Sequence, residues 1–111
     1  MNQLISKLST PQPVECQRPK KTAATLKENI DRNYVHILFP NTGTELGIRL
    51  SRTDSMLDAD FEKGRGTIRL VGVLTLDYSK VKCIAEIDIE KCEGEGYLLE
   101  VNDEEYLRIM Q

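Results

Sequence analysis

The sequence predicts an α+β domain built on a five-stranded, mainly antiparallel sheet or small open barrel, with one short helix towards the N-terminus and another at the C-terminus. Apolar residues alternate with other residues over positions 68–76 and again over positions 81–89. Period-two alternation is typical of strands with one buried face. Residues 34–39 and 45–51 form a second pair of β-rich segments, separated by Pro-Asn-Thr-Gly, which is a turn signal. We therefore expect two hairpins in one sheet.

Register follows from keeping the apolar residues of each hairpin on one face. In the first hairpin this places Phe39 opposite Leu46. In the second it places Leu76 opposite Val81, across the short polar break Asp-Tyr-Ser-Lys. Residues 97–101 return beside the second hairpin as the fifth strand.

Two helices flank these strands. Thr22 precedes a narrow apolar stripe and predicts a capped helix over residues 23–32. Asn102 with Glu105 three positions later predicts a capping box for the C-terminal helix. A third, short helix is expected after Asp54. The reverse face of the second hairpin carries three apolar side chains, those of Val71, Val73 and Ile84. We expect the helix over 23–32 to cover this face.

The chain divides into residues 1–21, a flexible Pro-rich basic tail, and residues 22–111, a single α+β domain. Three of the four prolines lie in the tail, where they disfavour both helix and sheet. The tail also contains Leu4, Ile5 and Leu8, which suffice for one docking turn. A length of 111 residues accommodates one core.

Composition narrows the class of protein. Hydrophobic residues make up 40% and charged residues 30% of the chain, which is typical of a compact fold. No apolar run approaches the ~18 residues that cross a bilayer, and the N-terminus lacks the apolar segment of a secretory signal. We therefore expect a cytoplasmic, intracellular protein with no membrane contact. Three cysteines cannot all pair with one another, so we do not expect a fold held together by disulfide bonds.

Motifs for catalysis, metals and cofactors are missing from the sequence. His36 is the single histidine, and no glycine-flanked nucleophile turn accompanies it. The acidic run from Asp58 to Glu62 imitates a calcium loop, but Lys63 and Arg69 stand where glycine and a bidentate glutamate are required. Zinc spacings, phosphate loops and dinucleotide fingerprints are absent. The expectation is a protein that is not an enzyme, with no metal and no cofactor.

Charge is distributed unevenly: residues 1–27 carry +4, from five basic groups and one acidic group, and residues 77–111 carry −6, from ten acidic and four basic groups. This asymmetry predicts separate contact surfaces. The candidate ligand face consists of Arg49, Arg52, Arg65 and Tyr78. The candidate acidic face consists of Glu93, Glu95, Glu104 and Glu105.

The predicted function is a non-enzymatic macromolecular binding module, most simply a small protein-binding adaptor, inhibitor or regulatory subunit with another protein as its partner. The alternative is a small β-barrel that binds single-stranded nucleic acid through a basic loop and sheet face. The sequence pI of about 5.2 disfavours this alternative, because phosphate binding needs many unopposed positive charges. The sequence leaves the oligomeric state open.

Overall fold

The computed structural model describes residues 3–16 and 21–110. Six strands run in chain order around a closed barrel, each antiparallel to its neighbours, and β1 pairs with β6 to complete the ring. The elements are α1 (Gln3–Leu8), β1 (Gln12–Cys16), α2 (Ala23–Asp31), β2 (Tyr34–Phe39), β3 (Thr44–Leu50), β4 (Thr67–Leu76), β5 (Ser79–Asp88), β6 (Glu93–Glu100) and α3 (Asp103–Met110). The predicted antiparallel sheet with short helices at both ends is confirmed.

The prediction of five strands is wrong, because β1 lies within the segment predicted as a flexible tail. Val14 and Cys16 of β1 are fully buried in the barrel core. Pro13 is tolerated because, among the described residues, β1 pairs at this position with β6 and not with β2. No hydrogen bond to β2 therefore requires the N–H that proline lacks. The tail prediction therefore fails over residues 3–16. Its basic residues Arg18 and Lys20 lie outside the described residues.

Two helices contribute side chains to the barrel core. Ile5 and Leu8 of α1 are buried there, in agreement with the predicted docking turn. Thr22 caps α2 as predicted, since its Oγ1 accepts the Thr25 N–H at 3.1 Å. Leu26 and Ile30 of α2 join the same core. That apolar stripe therefore faces the barrel interior.

Both predicted hairpin registers are wrong by two residues. Phe39 lies opposite Thr44, and Leu76 lies opposite Ser79. The second shift arises because only Asp77 and Tyr78 form the loop, with φ of 47° and 68°, the geometry of a type I′ turn. A shift of two preserves the face of every side chain, so the predicted inner faces are confirmed. The expected Arg69–Asp88 pair is replaced by Arg69 and Glu86 at 3.6 Å.

The predicted short helix after Asp54 does not form. Its backbone pairs with the edge of β4 instead: the Met56 N–H donates to the Arg69 carbonyl at 2.9 Å, and the Arg69 N–H donates to the Met56 carbonyl at 2.8 Å. Asp60 and Arg65 bond to each other in the same reciprocal way at 3.0 Å. This segment is thus a folded loop whose peptide groups are used in pairing rather than in a helix.

The predicted cover of the second hairpin is also wrong. α3 packs against β4 and β5, whereas α2 packs against β2. Asn102 caps α3 as predicted, because its Oδ1 accepts the Glu105 N–H at 2.8 Å. The apolar outer residues Val71, Val73 and Ile84 are buried.

Glycines allow the strands to bend around a small core. A Cβ at Gly94 of β6 would collide with the carbonyl oxygen of Glu86 on β5. A Cβ at Gly72 of β4 would lie 2.6 Å from the carbonyl oxygen of Arg49 on β3. Backbones approach each other at these positions more closely than any side chain permits.

Candidate functional site

The pairing of β3 with β4 is much shorter than the pairing of β4 with β5 on the other edge of the same strand. In the described residues their register contains two pairs, Arg49 with Val73 and Leu50 with Gly72. Beyond Arg49 the ladder stops, although β3 continues back to Thr44 and β4 continues to Leu76. The two strands therefore diverge and leave a groove between them.

Peptide groups of both strands face this groove. In an antiparallel ladder, alternate residues direct their peptide groups towards a given neighbour. The Ser51 N–H donates to the Val71 carbonyl at 2.8 Å, and Arg49 with Val73 is the next such pair. Gly47 and Thr75 would form the pair after that. They line the groove instead.

The groove has a volume of about 650 Å³ and a mixed lining. Apolar side chains from the barrel's inner faces contribute to its lining: Leu46, Leu74 and Leu76. Tyr34 of β2 and Tyr106 of α3 contribute aromatic rings. Apolar surface with a few oriented polar groups is typical of binding sites.

Tyr34 lies on the outer face of the sheet beside Gly47. Its ring lies so close that a Cβ on Gly47 would collide with the Tyr34 hydroxyl. His36 contacts the same ring edge-on, with centroids 5.2 Å apart and planes at 83°. Tyr34 nevertheless remains 47% exposed. The barrel thus presents an ordered aromatic pair at the groove.

Two guanidinium groups line the same groove, those of Arg32 and Arg49. Neither forms an ion pair with any residue that the structure describes. Both lie near Tyr34: Arg49 is its cross-strand partner, and Arg32 precedes it by two positions. Glu45, four residues from Arg49 on β3, is the acidic residue of the lining. One end of the groove is therefore cationic.

α3 is held in place as one side of the groove by ion pairs. Lys80 contacts Asp103 at 2.7 Å, and Lys82 contacts Glu105 at 2.9 Å. The Lys80 ammonium also lies 5.5 Å from the centre of the Tyr106 ring, within cation–π range. Arg108 pairs with Asp54 at 3.0 Å, which ties α3 to the loop after β3. These contacts orient Tyr106 towards its hydroxyl partner Thr75, at 3.3 Å.

The predicted ligand face is divided by the structure. Arg49 lines the groove, and Tyr78 projects fully exposed from the β4–β5 turn, two residues beyond the groove residue Leu76. Arg52 instead donates to the Asn33 side chain at 2.8 Å and to the Ile30 carbonyl at 2.9 Å, and so fastens the end of α2.

Arg65 lies apart from these residues. It precedes β4, whose first residue Thr67 is six positions from Val73, the partner of Arg49. Six strand residues span about 20 Å. The neighbouring Gly64 lies beside Ala23 of α2. The structure therefore does not bring Arg65 into the groove.

The residues of the predicted acidic face also lie on two separate surfaces. Glu105 contacts Lys82 and Glu104 is exposed on α3, whereas Glu95 lies opposite Glu86 on the barrel wall. Lys82 and Glu86 are four residues apart on β5, about 13 Å along the strand.

Glu93 belongs to an acidic row that crosses three strands. It lies opposite Asp88 of β5 on one side and Glu15 of β1 on the other. Lys21 contacts both Glu93 and Glu15, the latter at 3.0 Å. The Lys21 ammonium holds the pKa of Glu93 below its usual value, and the two carboxylates raise the pKa of Lys21. Like charges on adjacent strands are thus offset by one lysine.

The three cysteine thiols are enclosed. Cys16, Cys83 and Cys92 are fully buried free thiols. Burial raises the pKa of Cys83 to about 12 and raises those of Cys16 and Cys92. His36 is exposed on the opposite side of the wall from these thiols. No cluster of three or more His, Cys, Asp or Glu side chains converges on a metal position in the described part of the chain.

Sequence reasoning missed Arg32 and Tyr106 as groove residues. The sequence predicts Arg32 as the last residue of the helix over 23–32, and it predicts the C-terminal helix that carries Tyr106 without assigning it a neighbour. Their shared location depends on where α2 ends and where α3 packs. Side-chain alternation is the signal that the sequence offers, because it places Tyr34 and Arg49 on the face of the first hairpin opposite to its apolar residues.

Comparison with protein families and with curated proteins gives no match. The chain matches no protein-family model and shows no significant similarity to a curated protein. Of the helices formed by residues 3–16 and 21–110, none has the length and apolar character needed to cross a membrane. The groove geometry is therefore the basis for assigning a function.

Proposed function

We propose that this protein is a non-enzymatic binding module that binds another protein through the groove between β3 and β4. The observation that carries the proposal is the interrupted β3–β4 ladder, beside which aromatic, aliphatic and arginine side chains line one space of about 650 Å³. In such a module the barrel serves as a rigid frame for one contact surface. An adaptor, an inhibitor or a regulatory subunit would each use it in this way.

The chemistry of the lining favours a protein partner. Tyrosine and arginine are enriched among the residues that dominate protein–protein binding energy. Tyr34, Tyr106 and Arg49 supply these types around an apolar lining. Strand edges add main-chain donors and acceptors that a partner's backbone can use. The buried thiols and the outward position of His36 support a role without covalent catalysis.

Site-specific cross-linking tests the proposal. A photoreactive p-benzoylphenylalanine is introduced in place of Glu45, an exposed groove residue, in the full chain expressed in its source cell. We expect irradiation to produce one stoichiometric cross-linked protein, which mass spectrometry then identifies. The matched control carries the same group in place of Lys91, which is exposed in the β5–β6 turn.

The pattern of products decides the outcome. Products at position 45 that are lost on Arg49→Glu support the groove as the binding surface. Equal products at both positions, or none at position 45, contradict it. Products only at position 91 would transfer the function to the surface around β5 and β6, next to Glu93 and Glu95.

Single-stranded nucleic acid is the second candidate, favoured by one arrangement. Tyr34 and His36 form an exposed aromatic pair next to Arg49, which has no ion-pair partner within residues 3–16 and 21–110, and bases stack on such rings. If this candidate is correct, a fluorescent single-stranded oligonucleotide binds at low salt, binding weakens steeply as salt rises, and Arg49→Glu reduces it. Absence of binding at low salt rejects nucleic acid.

A further inference from the structure

We propose that the occupant of the groove is an extended acidic segment of a partner protein, which adds beside β3 as a short extra strand. This inference rests on the proposed function and specifies the chemistry of the partner. Its starting point is the pair of diverging strand edges. Gly47 and Thr75 occupy the ladder position at which pairing stops, and both line the groove. An added backbone would continue the interrupted ladder from that position.

Geometry sets the pattern of the partner's side chains. Successive side chains of a strand point to opposite faces. One set would therefore meet the apolar lining between Leu46 of β3 and Leu74 of β4. The other set would lie on the outer face beside Arg49 and Thr75. The expected segment alternates apolar residues with polar ones.

Charge sets the identity of the polar residues. Arg32 and Arg49 lie near Tyr34 and have no carboxylate partner among the residues described here. An arginine binds a carboxylate through two parallel hydrogen bonds. Glu45 lies four positions from Arg49 on β3, about 13 Å away along the strand. The acidic residues of the partner are therefore expected at the arginine end, with an uncharged or basic residue near Glu45.

Three synthetic peptides test the occupant. The first is a fluorescein-labelled octapeptide in which valine alternates with glutamate in the half expected at the arginine end and with glutamine in the half expected near Glu45. The second replaces glutamate by lysine, and the third repeats the first with N-methyl groups on alternate backbone nitrogens. Fluorescence anisotropy with the full-length protein measures each Kd. We expect the glutamate peptide to bind at least about tenfold more tightly than either of the others. Equal affinities overturn the proposal.

Variants locate the peptide. Arg49→Glu should reverse the preference from the glutamate peptide to the lysine peptide. Arg65→Glu is the matched control, because it makes the same charge change outside the groove and should leave the preference unchanged. Hydrogen exchange on the intact protein supplies a second readout, with slower exchange expected at the Gly47 and Thr75 amides when the glutamate peptide is bound. Protection elsewhere without protection at these amides overturns strand addition.

Failure of this inference is distinguishable from failure of the proposed function. A cross-linked protein at position 45 together with no preference for the glutamate peptide retains protein binding and rejects the acidic strand. Formation of a dimer, seen as a doubled mass at micromolar concentration and blocked by Arg49→Glu, would make a second copy of this chain the occupant and also reject it. Tighter binding of an oligonucleotide than of any peptide would reject both.

Discussion

The two sides of the barrel differ in how completely their strands pair. Over the described residues β4 pairs with β5 along ten residue pairs, from Thr67 with Asp88 to Leu76 with Ser79, and β5 pairs with β6 along eight. We call these three strands the continuous side. β3 and β4 share two pairs, and we call this junction the seam. The seam closes the barrel with little hydrogen bonding, which leaves its strand edges accessible.

The same two sides differ in charge. The continuous side carries Glu86, Asp88, Glu93 and Glu95 on its outer face, in directly opposed pairs. The groove at the seam is lined by Arg32 and Arg49, neither of which forms an ion pair with a described residue. One wall is therefore fully paired and acidic, and the other is open and partly cationic.

The largest expected effect on stability comes from truncating a leucine on the continuous side, compared with truncating a leucine at the seam. Leu70 is fully buried in β4 opposite Ala85, and Leu76 is a partly buried groove residue of the same strand. We expect Leu70→Ala to lower the free energy of unfolding by about 2–5 kcal/mol. Leu76→Ala should cost less than about 1.5 kcal/mol, because part of its surface is already in water. Urea unfolding measures both, and equal losses would remove the distinction between the two sides.

A second effect concerns the dry interior of the continuous side. Burial raises the pKa of Cys83 from 9.0 to about 12. Between these values the unfolded chain loses the thiol proton while the folded chain keeps it, so stability falls as pH rises. One thiol contributes up to about 1.4 kcal/mol per pH unit. Comparing the pH dependence of unfolding for the wild type and Cys83→Ala measures it, and identical slopes from pH 9 to 11 would contradict an enclosed thiol.

A smaller effect is expected at the turn that joins β4 to β5. Tyr78 has φ of 68°, a conformation that glycine adopts without strain. Tyr78→Gly should therefore raise the free energy of unfolding by about 1 kcal/mol. If Tyr78 contacts the partner, as the sequence predicts, the same variant binds more weakly while being more stable. A loss of stability would show that the exposed ring contributes to the fold.

The smallest effect is expected at the α3 side of the seam. Lys82→Met removes the partly buried pair with Glu105 and should cost less than about 1 kcal/mol. Its local consequence is faster hydrogen exchange along α3, which would free one side of the groove. Lys63→Met, at an exposed loop lysine, is the matched control. Equal exchange in the two variants would mean that α3 is held by other contacts.

The sequence predicted the faces of the strands better than their partners. Inner faces in both hairpins are correct although both registers are shifted by two residues, because side-chain alternation has the same period as the shift. Turn length was the missing quantity: in the second hairpin it depends on Asp77 and Tyr78 both adopting positive φ, which aspartate tolerates but tyrosine seldom does. β1 was not predicted, because prolines normally disfavour a strand. Pro13 is nevertheless tolerated, since in the described residues β1 pairs there with β6 alone and the missing N–H is not needed.

The candidate site was predicted in fragments. Arg49 and Tyr78 were selected from the sequence and lie in or next to the groove, whereas Arg52 and Arg65 were selected with them and lie elsewhere. Charge alone does not separate the three arginines, since all of them are exposed cations within residues 49–65. Arg52 is distinguished by its bond to a helix-end carbonyl, a contact between distant parts of the sequence.

Local sequence patterns were enough to establish part of the fold. Alternation predicted an antiparallel sheet and its buried face, and capping residues predicted two helices, because these features depend on neighbours within a few positions. Strand number, barrel closure and the seam depend on contacts between residues far apart in the chain. β1 reaches β6 across some eighty positions, and α3 reaches the loop after β3 through Arg108 and Asp54. The groove exists because those long-range contacts close the ring while leaving β3 and β4 mostly unpaired with each other. Local sequence patterns carry no information about how far these two strands pair.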